Sequence, residues 1–572
     1  MTITGTDYGT QSNPLFDEAY IAYQQMSAAR SILESHWDEI AALLWPEMRS
    51  TFSPGQTMRS PYDKRTDKQL DSSPQIALQN FGAIMDSLLT PRNQKWHRLT
   101  TNNKDLNKIR RVKLYYEDVT NALFRFRYAP SANFAGQNQN GFKLLGGFGT
   151  NTLYIDALDS RTEKGLRYKS CPIGEIYIRR NHQGICNTVL RYFSMTAQQA
   201  IQEFGEATPV QIVKKAESNK DALYWFIHYV CPQYDMDPSR ADYKGMEYRS
   251  VKCNVETQAL LSVKGYHVFP FPTSTYTEAP GEDYGRSPGM QALPAMKTLN
   301  AQKSSHLKQG HRAADPAYLS HDDGIIDNLR IRPGIINRGG VSADGRLLVQ
   351  ALPAGNYEIQ KDMMDEERTA IKQAFLTHLF ELAMNSENVP DRMNVPQVLE
   401  RMKEKGILLA PVVGAQTTYY GQVIDREIDV LTQQRLLPPM PPELVEAEGE
   451  YDVIYDNPLS RSMRAEESAG FVQSVQFATE IANATGDPSI LDPYNFEEAL
   501  PQMAEINGVP ASWMRSQDEI EAIKAKRAAA LKAQQDAEAA GPAAALVGAA
   551  AKAKVAGLDV GGQGGPLNNG GQ

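Results

Sequence analysis

Apolar residues recur at three- and four-residue intervals in the first part of the chain, which is the spacing of amphipathic helices. A helix is predicted over residues 15–45, and Pro46 should end it. The apolar stripe of this helix consists of Leu33, Trp37, Ile40 and Leu44. The same spacing predicts further helices over residues 74–89 and 105–129, the latter with Ile109 on its apolar stripe. The chain is therefore expected to begin with a group of packed helices.

The pattern changes between residues 150 and 270, where segments rich in β-branched and aromatic residues are bounded by Gly, Pro and Asn. Such segments are typical of strands separated by turns. The predicted strands contain Leu153–Ile155, Glu175–Ile178, Thr188–Phe193 and Tyr224–Val230. A short helical pattern, Thr196–Phe204, interrupts them. Because helices and strands do not alternate as βαβ units, the predicted fold class is α+β, with residues 1–285 as its helical and β-rich N-terminal part.

Two helices joined by a small β-rich segment are predicted next. The first helix covers residues 286–314, because Ser287 can cap its start and Pro288 suits the first helical position. Residues 315–360 hold many Gly, Pro and Asp and predict a small β module. Residues 361–384 form an amphipathic pattern and predict the second helix. The predicted stripes are Leu293, Met296, Asn300 and Leu307 on the first helix and Met364, Ile371, Phe375 and Leu382 on the second.

The remainder of the chain is predicted to be helical apart from one loop and a final tail. A long helix should bend midway, at Pro411 and Gly414. The final tail is rich in Ala and Gly and is predicted to be disordered. The predicted bounds are 385–394 for the loop, 395–459 for the long helix and a return segment, 460–540 for a helical part and 541–572 for the tail.

Composition places the chain among globular proteins, with 41% hydrophobic and 22% charged residues. At 572 residues it is too long for a single ordinary core, so several domains are expected. It has no run of 18 apolar residues and no signal-peptide pattern at its start, so we expect neither a membrane span nor export. The four cysteines match no zinc-binding spacing, which favours buried reduced thiols.

Patterns typical of enzymes are incomplete in this chain. Gly285–Gly289 has the spacing of a serine nucleophile elbow, but Pro288 lacks the backbone N–H that the oxyanion hole requires. Gly136–Lys143 approaches a phosphate-binding loop, but Phe142 separates the second glycine from the lysine. The histidines form no HExxH motif. We therefore expect no catalytic site, no cofactor and no metal, and any ATPase that acts with this protein must be another chain.

Several short segments stand in a fixed order along most of the chain. They are Leu89–Pro91 with Trp96–Leu99, Phe148–Thr150, Pro172–Tyr177 with Arg191 and Thr196–Phe204, and Glu282–Pro288 with Ala292–Pro294 and Leu299–Asn300. Together, over roughly residues 20–510, they make the chain similar to the head-to-tail connecting (portal) proteins of short-tailed bacteriophages. The chain departs from the family at Asn394–Gln397, where a Thr-Ala-Thr-Glu pattern is usual, and in the more polar segment Arg92–Lys95.

The resemblance implies the portal fold, a ring-forming subunit with wing, two-helix stem, small β-rich clip, tunnel loop, helical crown and disordered C-terminal tail. On this chain the stem corresponds to 286–314 and 361–384, the clip to 315–360, the tunnel loop to 385–394 and the crown to 460–540. The wing corresponds to 1–285 together with 395–459.

The resemblance also implies where the protein acts and with what. It implies a ring of twelve copies at the portal vertex of the capsid in the virion, assembled in the host cytoplasm, with no membrane partner. Double-stranded DNA would pass through the ring during packaging and ejection. The implied protein partners are the terminase that acts as packaging ATPase, the major capsid and scaffolding proteins, tail adaptor proteins and internal core proteins.

Elementary geometry and charge agree with such a channel. Twelve helices side by side at about 9–10 Å between axes form a circle about 36 Å across. Removing one helix diameter of about 10–12 Å leaves a bore of about 25 Å, which admits a duplex about 20 Å wide. The formal net charge of −9 also suits a wall that lets DNA slide, since many phosphate contacts would hold it.

Basic residues that fall on one side of each stem helix are the candidates for contact with DNA. At 100° per residue, each set of three spans no more than about 60° of its helix. The candidates are Lys361, Arg368 and Lys372 on the second helix, Lys297, Lys308 and Arg312 on the first, and Arg392 in the tunnel loop. Solvated helix faces or contacts between subunits are the alternative explanation for each of them.

A different virion structural protein, such as a tail adaptor or an internal core protein, is the alternative function. Ring stoichiometry, measured by mass, separates these possibilities. An enzyme is a third class, which the incomplete motifs disfavour and which a nucleotide hydrolysis assay would test.

Overall fold

A computed structural model describes most of the chain. The described residues are 13–52, 66–103, 105–158, 163–320, 330, 334–336, 340–352, 357–378, 395–446, 451–456, 458–506, 513–515 and 519–532.

The structure combines long helices with antiparallel sheets, in agreement with the predicted α+β class. The helices are α1 (Pro14–Leu44), α2 (Ser73–Leu89), α3 (Arg110–Arg127), α4 (Phe134–Phe148), α5 (Ala197–Phe204), α6 (Val210–Ser218), α7 (Pro288–Ala314), α8 (Tyr357–Ala374), α9 (Val395–Gln433), α10 (Pro442–Glu446), α11 (Pro458–Thr485), α12 (Phe496–Ile506) and α13 (519–532).

Within the described ranges, the strands form four sheets in which the pairs are antiparallel. The largest sheet is a five-stranded meander in the order β4-β5-β6-β7-β8, and a three-stranded sheet has the order β3-β2-β9. Two further pairs are β1 with β12 and β10 with β11. The strands are β1 (His97–Thr100), β2 (Thr150–Ala157), β3 (Leu166–Cys171), β4 (Ile176–Arg180), β5 (Cys186–Thr196), β6 (Leu223–Pro232), β7 (Tyr248–Asn254), β8 (Ala259–Tyr266), β9 (Thr273–Thr275), β10 (Tyr318–Ser320), β11 (Val349–Ala351) and β12 (Asp452–Tyr455).

The N-terminal helix α1 forms as its sequence predicts. Asn13 caps it by accepting a hydrogen bond from the Leu15 N–H, and three of the four residues of its predicted stripe are fully buried. Arg30 fixes the helix to the body, because its buried guanidinium donates to the carbonyl oxygens of Ile173, Ile176, Gly174 and Phe52.

The five-stranded sheet is buried on both faces at β5 and β6, where successive side chains point to opposite sides and both sets are covered. Leu190 on β5 and Ile227 on β6 face α1, whereas Phe193 and Phe226 on the same strands face the pair α5 and α6. The predicted strands in this region are confirmed. Thr196 begins α5 with a capping box, in which its hydroxyl accepts the Gln199 N–H.

The central helix α4 was not predicted from the sequence. It contacts α2, α7 and the strands β2 and β3, and most of its residues are buried. Several glycines and polar residues give it a poor intrinsic helix propensity. Burial within the core therefore stabilises a helix that the amphipathic pattern alone does not indicate.

A fully buried ion pair joins α3 to α9. Arg127 donates to both carboxylate oxygens of Glu427, and the Tyr168 hydroxyl donates to the same carboxylate at 2.6 Å. His97 lies 2.8 Å from the Arg127 guanidinium, and burial followed by that positive charge lowers the pKa of His97 well below its usual value. These contacts fix α9 to the core.

Three sequence predictions are corrected by the structure. The helix predicted over 361–384 begins earlier, at Tyr357, and ends at Ala374, where Leu376 takes a positive φ of 57° and the Thr377 N–H bonds to the Lys372 carbonyl. Neither Gly nor Pro marks that end, so the pattern could not reveal it. Leu307 and Ile109, expected on buried stripes, are 43% and 36% exposed.

Other predictions stand or stay open. Leu382 and the loop 385–394 lie outside the described residues, as does the tail 541–572. α7 continues through Pro294, and α9 continues through Pro411 and Gly414; the predicted bend in α9 stays a prediction. Among the described residues, no helix has the length and hydropathy that crossing a membrane requires.

Candidate functional site

The start of α7 is built into the body of the protein by the segment Glu282–Ser287. The Tyr284 hydroxyl accepts the Ile178 N–H at 3.2 Å and lies 3.3 Å from the Ile176 carbonyl oxygen, to which it donates. The next residue, Gly285, donates its N–H to the Thr150 hydroxyl at 3.0 Å. These contacts attach the start of α7 to both the five-stranded and the three-stranded sheet.

Ser287 caps α7 and is not an exposed nucleophile. Its hydroxyl accepts the Met290 N–H at 2.9 Å and donates to the Gly147 carbonyl at 2.9 Å, and the residue is 0% exposed. The hydroxyl is thus engaged by backbone groups both as an acceptor and as a donor. The motif that resembles a nucleophile elbow is therefore explained by capping and close packing.

The glycines around Ser287 allow two backbones to cross with no space for side chains. A Cβ on Gly285 would lie 2.4 Å from the Gly149 carbonyl oxygen, and Gly149 itself has a φ of 81°. A Cβ on Gly289 would lie 2.7 Å from the Gly147 carbonyl oxygen. Real Cβ atoms do not approach oxygen so closely, so glycine is required at this crossing, which we call the glycine crossing.

The helices α7 and α8 pack against each other along an apolar seam. The seam residues are Met296 and Leu299 on α7 and Met364, Ile371 and Phe375 on α8, each no more than 3% exposed. Phe375 also packs edge to face on Phe81 of α2, with 6.1 Å between ring centroids. The stripes predicted for the two helices are thus confirmed over the part that enters this core.

Two contacts set the relative direction of α7 and α8. His306 Nδ1 lies 3.3 Å from Gln360 Oε1, near the ends that lead to the strand pair β10–β11. Further from that strand pair, near the middle of each helix, Asn300 binds the backbone of residues 68 and 70, and Arg368 binds the adjacent Asp71. The two helices are therefore antiparallel.

Arg368 is bound to the body of its own chain. Its guanidinium donates to Asp71 at 2.6 Å and to Asp365 at 2.7 Å, and its side chain is 28% exposed. Burial raises the pKa of Asp71, but hydrogen bonds from Ser73 and Arg368 outweigh that effect and hold the pKa below its usual value. Arg368 thus has a defined role in attaching α8.

The other candidates on α8 lie beside the seam. Lys361 is exposed and Lys372 is half-buried. By helical phase, Lys361, Arg368 and Lys372 are centred about 60° from the seam, so they flank the packed surface. The sequence predicted that these three residues share one side of the helix, and the structure places that side next to the apolar seam.

The candidates on α7 lie on the opposite side from the seam. Lys297, Lys308 and Arg312 are all exposed, and by helical phase they are centred about 150° from the seam. Lys297 forms an ion pair with Glu39 at 2.5 Å, with about half of each side chain exposed. Arg392 lies outside the described residues.

Sequence reasoning missed the polar groups that hold the site in place. The acceptor for Ser287 lies on α4, which was not predicted, and Asp71 was not singled out. The sequence did contain one usable signal, since the two glycines of Gly285–Gly289 bracket a serine followed by proline. Among the described residues, no group of three or more His, Cys, Asp or Glu could hold a metal ion.

Comparisons with known proteins agree with the resemblance noted above. The model of the family described as bacteriophage head to tail connecting protein matches residues 17–514. The portal protein of Salmonella phage epsilon15 is 26% identical over 532 residues, covering 89% of this chain and 91% of that protein. The probable portal protein of Bordetella phage BPP-1 is 25% identical over 524 residues, covering 90% of this chain and 91% of that one.

Proposed function

We propose that this chain, which belongs to the family of bacteriophage head-to-tail connecting proteins, is the portal subunit of a short-tailed phage and is located in the virion. One observation carries this function. The match to portal proteins runs along about nine tenths of the chain and of each relative, so it includes the body and the stem rather than one shared domain. The role is structural, and ATP hydrolysis is assigned to the terminase.

The subunit forms a ring of twelve at one capsid vertex, and double-stranded DNA passes through its centre. The antiparallel pair α7 and α8 is the stem, and the loop 385–394 with Arg392 lines the tunnel. Two features support this proposal: the length of α7, 27 residues or about 40 Å, and the attachment of its first end to the body.

Residues 315–356, the predicted module without the first turn of α8, form the clip, which docks the terminase during packaging and the tail adaptor proteins afterwards. None of its described residues is buried, and those between 318 and 352 include exposed Tyr318, Leu319, Ile335, Ile336, Val341, Leu347 and Leu352. A two-stranded pair is marginally stable alone, and a cluster of exposed apolar side chains is typical of a binding surface. Both features indicate that this segment contacts a partner protein. Subunits that lack residues 315–356 keep all of α8 and should fold, but they should not support packaging, and normal packaging would contradict the assignment.

Residues 460–540 form the crown, which faces the capsid interior and the internal core proteins. The body contacts the major capsid and scaffolding proteins. Exposed Phe477 and Ile481, one turn apart on α11, support a contact between the crown and another protein. Truncation after Ala540 should leave ring formation intact, because an Ala- and Gly-rich tail cannot offset its ordering entropy by burial.

Electron microscopy and native mass measurement of the purified protein test the proposal directly. The expected result is a ring with a central hole and the mass of twelve subunits. A protein that stays monomeric across concentration and salt, in the presence of scaffolding protein, would overturn it. Arg392→Ala in assembled particles then tests the tunnel loop, since it should change packaging or retention of DNA with little effect on melting.

A further inference from the structure

The first stem helix, α7, carries basic residues and no acidic ones. Its sequence of 27 residues contains four Lys or Arg and neither Asp nor Glu. Lys308 and Arg312 are exposed and lie away from the seam with α8. Lys297 shares that side but is already paired with Glu39. We call Lys308 and Arg312 the basic face.

The second stem helix, α8, has the opposite charge on its outer side. Asp362 and Glu366 are exposed, stand one turn apart and lie about 180° from the seam by helical phase. Asp365 lies nearby but is engaged by Arg368. We call Asp362 and Glu366 the acidic face. The stem of one chain thus has two uncovered faces of opposite sign.

The two faces follow each other closely along the stem. The contact of His306 with Gln360 places residue 304 of α7 at the level of Asp362. Lys308 is then one turn, or about 6 Å, beyond that level, Arg312 is about 12 Å beyond it, and Glu366 is about 6 Å on the other side. Lys308 and Asp362 are therefore the nearest pair, and side chains as long as lysine span the offset between them.

We propose that the basic face of one subunit docks on the acidic face of the next subunit around the ring. A closed ring of identical chains needs two complementary surfaces on each chain, and the stem offers such a pair. This inference rests on the proposed function, because it assumes that the copies assemble as a ring.

Charge also argues that the basic face does not line the channel. Two cations from each of twelve subunits would release many counterions on binding phosphates and would hold the duplex. Pairing with carboxylates of a neighbour neutralises these cations and leaves the duplex free to slide. The proposal therefore assigns Lys308 and Arg312 to subunit contact instead of DNA contact.

Charge reversal with mixing provides the test. In one variant the basic face is reversed by Lys308→Glu with Arg312→Glu, and in the other the acidic face is reversed by Asp362→Lys with Glu366→Lys. Each variant alone would set like charges against each other at every interface, so each should fail to form rings. An equimolar mixture should form rings that alternate the two variants, with equal amounts of both and an even number of subunits by native mass.

A control matched to the reversal of the basic face makes the same change in net charge at a different surface. Lys214→Glu with Lys215→Glu on α6 alters two exposed lysines by the same total charge and should leave rings intact. Circular dichroism and melting of each variant check that it folds. Rings from either stem variant alone, or failure of the mixture although both variants fold, would overturn the inference. Absence of rings in the unaltered protein would instead overturn the proposed function.

Discussion

Replacement of Ser287 by alanine should weaken the attachment of α7 to the body without removing any enzymatic activity. The hydroxyl caps the helix through the Met290 N–H and donates to the buried Gly147 carbonyl. Loss of a cap costs about 1 kcal/mol, and a buried carbonyl left without its donor costs about 1–3 kcal/mol. The expected loss in the free energy of unfolding is therefore about 2–4 kcal/mol.

Thermal melting of the purified protein measures this loss, at about 2 °C per kcal/mol for a large folded unit, so a decrease of about 4–8 °C is expected. Ser305→Ala is the control, because Ser305 is exposed on the same helix and its removal should cost no more than about 0.5 kcal/mol. A serine-reactive fluorophosphonate should not label Ser287. An unchanged melting temperature for Ser287→Ala, or labelling of Ser287, would refute the capping argument.

Three further predictions follow from burial. Arg127→Met and Glu427→Gln should each lower the free energy of unfolding by about 3–5 kcal/mol, because each leaves a buried charge unpaired. The double variant should lose less than the sum of the two losses, which a double-mutant cycle based on thermal melting would measure. Burial lowers the pKa values of His97 and His228 in the folded protein, so unfolding takes up protons below the unfolded pKa of about 6.5. The contribution of these two residues to stability should therefore be full above that pH and should fall as the pH drops below it. Denaturant midpoints at pH 7.5 and 5.5 measure the fall, which should be smaller in His228→Gln. Arg312→Ala should change the free energy of unfolding by less than about 0.5 kcal/mol, and a large loss would mean that this exposed side chain is packed in the isolated subunit.

Elements whose burial is periodic were predicted well from the sequence. The apolar stripe of α1 shows directly which side of the helix faces the core, so both the existence and the phase of this helix follow from residue type. The strands β5 and β6 are buried on both faces, so their richness in β-branched and aromatic residues predicts that they exist. The order of short segments indicated the family, which the match over residues 17–514 confirms. Ser287 was likewise identified as the cap of α7 from its position before Pro288.

Elements that depend on distant parts of the chain could not be predicted. β1 pairs with β12, more than 350 residues later, and neither short strand has a strong pattern of its own. Arg127 and Glu427 are separated by 300 positions, and nothing local shows that both are buried. Helical phase placed the basic candidates on stripes, but it could not show that Arg368 binds Asp71 or that Lys297 binds Glu39. Which of them meets DNA stays a prediction.

The glycine crossing determines how α7 can bear a load. Backbone lies on backbone at Gly285 and Gly289, and the cap and the Tyr284 hydroxyl fix the direction in which α7 leaves the body. The helix is thus held like a beam clamped at one end, with no joint at its base about which it can swing. A sideways push at the far end of α7 would be taken up by gradual bending of the free part of the helix, and the bending moment would be largest at its outermost contact with residues 68 and 70, which Asn300 makes.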